Sequence, residues 1–359
     1  MKIVLSGGGT LGPVVPLLAV YETYKEKYPN TEFIWVGTRK GPEREMIEKR
    51  GIKYKAIFTA KWRRYFSLKN IHDLIKFVFI FFHSFYFLVK EKPDILISAG
   101  GFVSVPLHFA GSVLGIPSWV HQQDVRPGLA NRLMSYTATK VTVAINESLQ
   151  YFPIVKSEWI GNPARDLEFE NKELAKMKLG IKDNEPVIFA LGGGTGSFKV
   201  NKMILEALNH WPKSWHVIHL VGKERPTEMA EKAVQFFPNY QMFRFFDEEM
   251  KYAYAASDVV VSRAGFGTIT ELALLSKAAI LLPISDSHQL ENALYLAQKN
   301  AVILMNEIWD NGLKLGKSVQ ELVESKEKRE KLGERLHTVL PITRKDKIIS
   351  LIDEIAASR

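Results

Sequence analysis

Short apolar runs alternate with helical patterns along this chain, and that alternation leaves few folds open. The runs are "KIVL", "EFIWVG", "DILISAG", "SWVHQQ" and "KVTVAI", then "PVIFALGGG", "WHVIHLVG", "DVVVSRAG", "AAILLPI" and "AVILM". Brief Val/Ile-rich strands with helices between them predict parallel α/β sheets. A glycine cluster recurs, "SGGGTLG" at Ser6–Gly12 and "LGGGTGS" at Leu191–Ser197. Each cluster follows a strand and precedes a helical segment. Two Rossmann-like halves facing a cleft explain this more simply than one large sheet. The junction is expected near "WIGNPARD", Trp159–Asp166, where Pro and Gly break the pattern. A charged helical segment, "SVQELVESKEKREKLGERL", comes late, and an amphipathic helix over about Lys345–Ala357 closes the chain.

Composition narrows the chemistry. The 359 residues suffice for two domains. There is no cysteine, which excludes disulfides, thiolate metal sites and a cysteine nucleophile, and suits a reducing compartment. The formal charge of +9 points to an anionic partner. No nucleic-acid recognition motif supports RNA or DNA in that role. "MKIVLSGGG" reads as a first strand rather than a signal peptide. The longest apolar segment, Leu74–Val89, is interrupted by Lys76 and His83, and its uncharged core is shorter than the roughly 20 residues of a membrane span.

Clustered glycines between a strand and a helix suit a phosphate compound. Gly7, Gly9 and Gly12 match G-x-G-x-x-G, a dinucleotide pattern. After the second strand, however, Gly37-Thr38-Arg39-Lys40 stands where a ribose-binding acid belongs. Arg39 leaves a 2′-phosphate open, and the glycines also permit plain strand-to-helix packing. "SRAGFGTITELA" is the denser constellation, with small residues at a strand end leading into a helix. Backbone N–H groups there can hold a diphosphate, favoured by the helix dipole. Glu271, one turn in, suits ribose hydroxyls or a capping box with Thr268. In "PISDSHQLENA", His288, Gln289 and Asn292 suit sugar hydroxyls, or simply a solvated loop.

These pieces resemble the MurG family, whose members add N-acetylglucosamine to lipid I in peptidoglycan synthesis. The resemblance rests on "GGTLGPVVP", "SAGGFVSVP", "HQQDVRPGLANR", "GNPAR", "LGGGTGS", "SRAGFGTITEL" and "HQLENA", in the family's order. It implies an α/β GT-B fold. Residues 1–162 with a returning helix at 343–359 would take the acceptor and the membrane, and residues 163–342 the UDP-sugar. It implies an inverting, metal-independent hexosyltransferase of cell-wall biogenesis, and hence of cell shape and division. UDP-N-acetylglucosamine and a polyprenyl-diphosphate-linked acceptor are its partners, and no cofactor is expected. The chain has no D-x-D metal motif. A related transferase with another polyprenyl-linked acceptor, a catalytically impaired UDP-sugar-binding protein and a sugar-nucleotide epimerase are the alternatives.

Carried over by position, the resemblance assigns the donor to Arg165, Gly193, Gly194, Thr195 and Asn201. The backbone near Asp247 and Met250 would read the uracil edge. Ala264, Gly265, Phe266 and Gly267 would approach the diphosphate, Glu271 the ribose, and His288, Gln289 and Asn292 the sugar. Gly9, Thr10, Gly12, Phe102, Gln122, Asp124 and Asn131 would meet the acceptor. Thr10, His121 and Asp124 are the catalytic candidates.

Some positions depart from the family. Its G-G-T-G-G-H is here Gly8-Gly9-Thr10-Leu11-Gly12-Pro13, so a proline replaces the histidine often proposed to assist catalysis. Its H-E-Q-N is His121-Gln122-Gln123-Asp124, with the carboxylate moved two positions. If the segment is extended, such a move keeps the side chain on one face, and Asp124 becomes the candidate base. Asp124 holding its own loop is the alternative. His121 is the reserve base.

One further segment points outward. Read helically, Ile71, Leu74, Ile75, Val78, Phe82, Phe85 and Val89 form one stripe. Asp73, Lys76, His83 and Ser84 lie opposite, with Ile80 and Phe87. Aromatic and basic residues in Lys61–Lys69 suit an anionic membrane interface. Trp62, Phe77, Ile80, Phe81 and Phe87 are the expected contacts, on the cytoplasmic face of the cell membrane. A helix sandwiched between layers is the alternative.

Overall fold

The computed structural model describes residues 1–57, 69–167, 169, 171–182 and 184–358. The chain divides into two compact units, one of Met1–Arg165 with Ile342–Arg359 and one of Asp166–Pro341. In the first unit the elements run β1 (Lys2–Ser6), α1 (Val14–Lys27), β2 (Glu32–Gly37), α2 (Glu43–Glu48), β3 (Lys53–Ala56), α3 (Lys69–Glu91), β4 (Ile95–Ser98), α4 (Ser104–Val113), β5 (Ser118–Gln122), α5 (Leu129–Thr137), β6 (Lys140–Val143) and β7 (Ser157–Trp159). Its seven strands are ordered β3-β2-β1-β4-β5-β6-β7, and every pair is parallel. The inner strands are buried on both faces, which is why they read as unbroken apolar runs rather than alternating ones.

The second unit repeats the plan with β8 (Val187–Leu191), β9 (His216–Leu220), β10 (Tyr240–Phe243), β11 (Val259–Ser262), β12 (Ala279–Leu281) and β13 (Ile303–Leu304). Before, between and after them come α6 (Lys172–Lys178), α7 (Phe198–Ala207), α8 (Glu228–Phe236), α9 (Met250–Ala256), α10 (Phe266–Leu274), α11 (His288–Gln298), α12 (Gly312–Glu324) and α13 (Lys326–Val339). Its six parallel strands are ordered β10-β9-β8-β11-β12-β13. The late charged segment, which reads as one helix, is two. Ser325 separates α12 from α13 and its hydroxyl accepts from Lys328 N–H at 3.3 Å. A serine that bonds ahead to the backbone starts a helix better than it continues one.

In both sheets the winding direction reverses beside the first strand, between β1 and β4 and between β8 and β11. Open parallel sheets bind ligands outside the carboxyl ends of the strands at this point. The two glycine clusters leave β1 and β8 there.

The last helix, α14 (Lys345–Ala357), belongs to the first unit. Ile348, Leu351, Ile352 and Ile355 are buried against Leu17, Tyr24 and Ile97. The Tyr24 hydroxyl donates to Asp353 Oδ1 at 2.6 Å.

The α3 face differs from expectation. Ile80, Ser84 and Leu88 are buried, and Phe81, Phe85 and Phe87 pack partly against the same core. Ile80 is therefore a core residue, 6% exposed, rather than a membrane contact. The outward face carries Val78, Phe79, Phe82, Tyr86 and Val89, with Phe79 71% and Phe82 63% exposed. A helix apolar on nearly every side gives the sequence pattern little power to choose its buried face. Trp62 and the Phe77 side chain lie outside the described residues. No helix among the described residues is long and apolar enough to cross a membrane.

Candidate active site

In the second unit, the chain leaves β8 through Gly192–Gly196 and enters α7 at Ser197, whose hydroxyl accepts from Val200 N–H at 3.3 Å. Gly196 has φ +80°, and a side chain there would run into the Val221 carbonyl, so glycine is required. Arg225 Nε donates to the Gly196 carbonyl at 3.1 Å and pins the turn. Gly193, half-buried, and Gly194 and Thr195, both exposed, form the accessible crest.

The next loop of this site follows β11. Arg263 is buried, and its Nε donates to Ser197 Oγ at 3.0 Å. Its Nη1 donates to the Leu282 and Pro283 carbonyls at 2.8 and 3.0 Å and pairs with Glu307 at 2.6 Å. Glu307 also accepts from Ser285 N–H at 3.0 Å. Burial pushes the Glu307 pKa up, but the Ser285 N–H and the Arg263 guanidinium outweigh it and hold it below the ordinary value. This ion pair of a buried guanidinium and a half-buried carboxylate thus joins the loops after β8, β11, β12 and β13. Sequence reasoning passed over both residues, although Arg263 stands inside the quoted motif. A charge directly after a Val-rich strand was the available signal.

Ala264 is buried, and Gly265 is the N-cap of α10 with extended backbone, φ −67° and ψ 136°. Thr268 therefore lies inside the helix, which removes the capping box. Phe266, Gly267 and Thr268 occupy the first turn, whose N–H groups have no acceptor within the helix. These donors and the dipole make an anion seat. Glu271 is buried one turn on and accepts from the Tyr254 hydroxyl at 2.8 Å.

Other expected donor residues are placed differently. Asn201 faces the core: its Nδ2 donates to the Val221 carbonyl at 2.9 Å, and its Oδ1 lies 3.1 Å from His219 Nε2. It holds the turn after β9 rather than offering its amide to a ligand. The Asp247 N–H donates to Glu249 Oε2, 3.2 Å away, at an exposed position. Met250 is buried at the start of α9. His288, Gln289 and Asn292 sit in the first two turns of α11, not in a loop. Ser287 caps that helix, Gln289 Oε1 accepts from Ile284 N–H at 3.3 Å, Asn292 is buried and His288 is exposed. Arg165 is half-buried at the end of the first unit's main segment.

In the first unit the loop after β1 approaches the loop after β4. A Cβ on Gly101, which has φ +97°, would lie 3.0 Å from the Gly8 carbonyl. Gly9, Thr10, Gly12 and Phe102 are exposed. Pro13 is the N-cap of α1 at φ −69°, an angle proline adopts without strain.

His121 is not available as a base. It is buried, with Nδ1 2.8 Å from Thr142 Oγ1 and Nε2 2.8 Å from Asn162 Oδ1. Trp119 Nε1 donates to Thr142 Oγ1 at 2.7 Å, so that hydroxyl turns its proton to Nδ1 and the ring carries its own on Nε2. Burial lowers its pKa to about 4, against a smaller upward effect from Asn162. Asn162 in turn accepts Thr343 N–H on its carbonyl at 3.0 Å, tying the histidine to the returning segment.

Gln122 and Asn131 also face inward. Gln122 Nε2 donates to the Asp124 carbonyl at 2.8 Å, and its Oε1 accepts from Asn131 Nδ2 at 2.6 Å. Asn131 Oδ1 is buried without a hydrogen-bond partner among the described residues. Asp124 does not continue the strand: β5 ends at Gln122 and the chain bends through 124–126. The two-position argument for its direction therefore fails. Gln122 Nε2 and Ser148 Oγ hold the Asp124 carbonyl at 2.8 and 3.4 Å, and the neighbouring Gln123 Nε2 donates to the Gly12 carbonyl at 3.1 Å. That bond brings the Asp124 loop to the residue beside Pro13.

Family models match both units: the glycosyltransferase family 28 N-terminal domain over residues 3–143 and its C-terminal domain over 187–341. A Clostridium perfringens protein named UDP-N-acetylglucosamine--N-acetylmuramyl-(pentapeptide) pyrophosphoryl-undecaprenol N-acetylglucosamine transferase is 34% identical over 355 residues, 96% of this chain and 98% of that one. A Clostridium kluyveri protein of the same name is 39% identical over 285 residues, 79% of each chain. The crystal structure of Acinetobacter baumannii MurG superposes with a TM-score of 0.76 at 22% identity, covering 98% of this chain and 99% of that one. The fold is thus the GT-B arrangement of two Rossmann-like domains, and the chain belongs to glycosyltransferase family 28.

Proposed function

We propose that this chain transfers N-acetylglucosamine from UDP-N-acetylglucosamine to lipid I, the undecaprenyl-diphosphate-linked N-acetylmuramyl peptide, with inversion at the anomeric carbon. The observation that carries this reading is the near full-length similarity to the Clostridium perfringens transferase. The second unit binds the donor, with its diphosphate against the first turn of α10 and its ribose toward Glu271. An acceptor hydroxyl attacks the anomeric carbon, the bond to the diphosphate oxygen breaks, and UDP leaves. The α10 dipole stabilises the charge gained by the diphosphate. The hydroxyl proton passes to Asp124, the carboxylate whose loop is bonded to Gly12.

The exposed α3 face supports peripheral attachment to the cytoplasmic leaflet. Val78, Phe79, Phe82, Tyr86 and Val89 enter the lipid interface, with Lys90 and Lys92 at the end of the helix. Each apolar side chain buried there contributes on the order of 1.5–3 kcal/mol, and each lysine near anionic lipid about 1 kcal/mol.

Pro13 favours one second reading, a UDP-sugar-binding protein without turnover. One assay separates the two: purified chain, radiolabelled UDP-N-acetylglucosamine and lipid I in anionic vesicles. Labelled lipid is the expected product. Donor binding without labelled lipid supports the binder, and an altered free sugar in the absence of acceptor supports an epimerase.

A further inference from the structure

Two arginines bond to the glycine turn after β8. Arg263 is buried and committed to the scaffold: Nε donates to Ser197 Oγ, Nη1 donates to the Leu282 and Pro283 carbonyls, and Glu307 neutralises its charge. Arg225, in the loop after β9, is half-buried. Its Nε donates to the Gly196 carbonyl at 3.1 Å. Among the described residues its two η nitrogens have no hydrogen-bond partner, and no carboxylate forms an ion pair with it. Glu224 and Glu228, its nearest acids in sequence, are both exposed.

The local sequence holds that guanidinium in place. Gly196 and Gly222 have φ +80° and +100°, and a side chain on either would strike the backbone of the other loop. A Cβ on Gly196 would meet the Val221 carbonyl, and one on Gly222 the Gly196 Cα. The loops after β8 and β9 therefore touch backbone to backbone. Arg225 Cγ would lie 2.8 Å from a Cβ on Gly196, so the arginine stem packs on the turn itself. Two further cations stand on the neighbouring loops. Lys223 Nζ lies 4.2 Å from the Phe245 ring centroid, and Arg244 Nη1 donates to the Lys223 carbonyl at 3.3 Å. Neither is ion-paired among the described residues, so three cations without a protein counter-ion attract an anion to this side of the turn.

A guanidinium fixed by its Nε keeps its two η nitrogens as a planar fork, and that fork matches two oxygens of a phosphate. We propose that Arg225 forks onto the diphosphate of the UDP-sugar and offsets the charge that UDP gains on leaving. The assignment rests on the transferase reading above, in which the second unit holds the donor. It adds a side-chain cation to the N–H groups at the start of α10. Arg263 does not fill that role, because its charge is already paired with Glu307.

The test titrates UDP and uridine into the full chain and into Arg225→Gln, with calorimetry for UDP and ligand-observed NMR for uridine. UDP affinity should fall about tenfold or more, as the loss of a charge-assisted bond requires, while uridine affinity stays within about twofold. Equal UDP binding by variant and parent overturns the proposal. So does a parallel loss of uridine, which is what a residue that only pins the turn would give. At saturating UDP-N-acetylglucosamine, turnover with lipid I should also fall about tenfold, because the departing UDP carries more charge than the bound donor. Unchanged turnover overturns the leaving-group role. Arg225→Lys keeps the charge and loses the fork, so its UDP affinity should lie between the two, and it carries the test should Arg225→Gln not fold. Binding by Arg225→Lys equal to the parent's overturns the forked contact. A parent that binds no UDP overturns the donor reading itself, so the two failures are distinct.

Discussion

At the scale of single residues, two side chains carry separable consequences. Asp124 is the proton acceptor of the proposed transfer. Asp124→Asn keeps the size of the side chain and removes the basic oxygen. Turnover should fall by roughly 10²–10⁴-fold while donor affinity stays nearly constant, as steady-state kinetics with a donor-binding control would show. Unchanged turnover would remove Asp124 from the mechanism. Arg263 acts through its neighbours, since it bonds Ser197, Leu282, Pro283 and Glu307. Arg263→Leu leaves the half-buried Glu307 carboxylate without its counter-ion, holding only the Ser285 N–H, which should cost about 1–3 kcal/mol. Urea denaturation should register that loss. Arg263→Leu Glu307→Leu should recover part of it, because an apolar pair leaves no orphaned charge. A double variant no more stable than the single one would refute the pairing argument.

At the scale of elements, α3 has two faces that similar sequence makes look alike. Ile80→Ser empties a core position and should cost about 2–4 kcal/mol in unfolding free energy with little direct effect on lipid binding. Phe79→Ser with Phe82→Ser alters only exposed positions, 71% and 63% accessible, and should leave the unfolding midpoint within about 0.5 kcal/mol of the parent. Binding to anionic vesicles should nevertheless weaken by at least tenfold, given about 1.5 kcal/mol or more per buried aromatic. Sedimentation with vesicles measures this, and equal binding by the double variant and the parent would refute the membrane face.

At the scale of the molecule, three histidines are folded as neutral groups. Burial lowers His108 to about 3, His121 to about 4 and His219 to about 3, from an ordinary value of 6.5. His219 lies between the Tyr240 hydroxyl at 2.8 Å and Asn201 Oδ1 at 3.1 Å, and His108 lies 3.4 Å from the Ser6 hydroxyl. A depressed folded pKa means that below pH 6.5 the unfolded chain binds protons the native state refuses. Their stabilising contribution is complete above that pH and declines as pH falls toward 4. Each histidine should remove about 1.4 kcal/mol per pH unit once well below its ordinary pKa. Denaturant midpoints measured between pH 7 and 5, above the range where most carboxylates titrate, should therefore drop steadily. A flat profile over that interval would mean that these rings accept protons in the fold.

The alternation of apolar runs determined the parallel α/β class, the doubled Rossmann plan and the positions of both glycine turns, because strand burial and turn geometry are local and leave local patterns. The α10 start was legible for the same reason, since small residues after a Val-rich strand allow little else. What the tertiary structure alone decided is which polar side chains face a ligand and which hold the scaffold. His121, Gln122 and Asn201 read as site residues by motif, yet each hydrogen-bonds into the fold. Arg263 and Glu307 gave no such signal, because their partners lie on other loops and the two stand 44 positions apart in sequence. The buried face of α3 was likewise undetermined, since an almost uniformly apolar helix acquires an inside only when it packs on a sheet. Distance along the chain conceals such pairings. Burial enforces them, because a polar group removed from water must find a partner wherever the fold brings one.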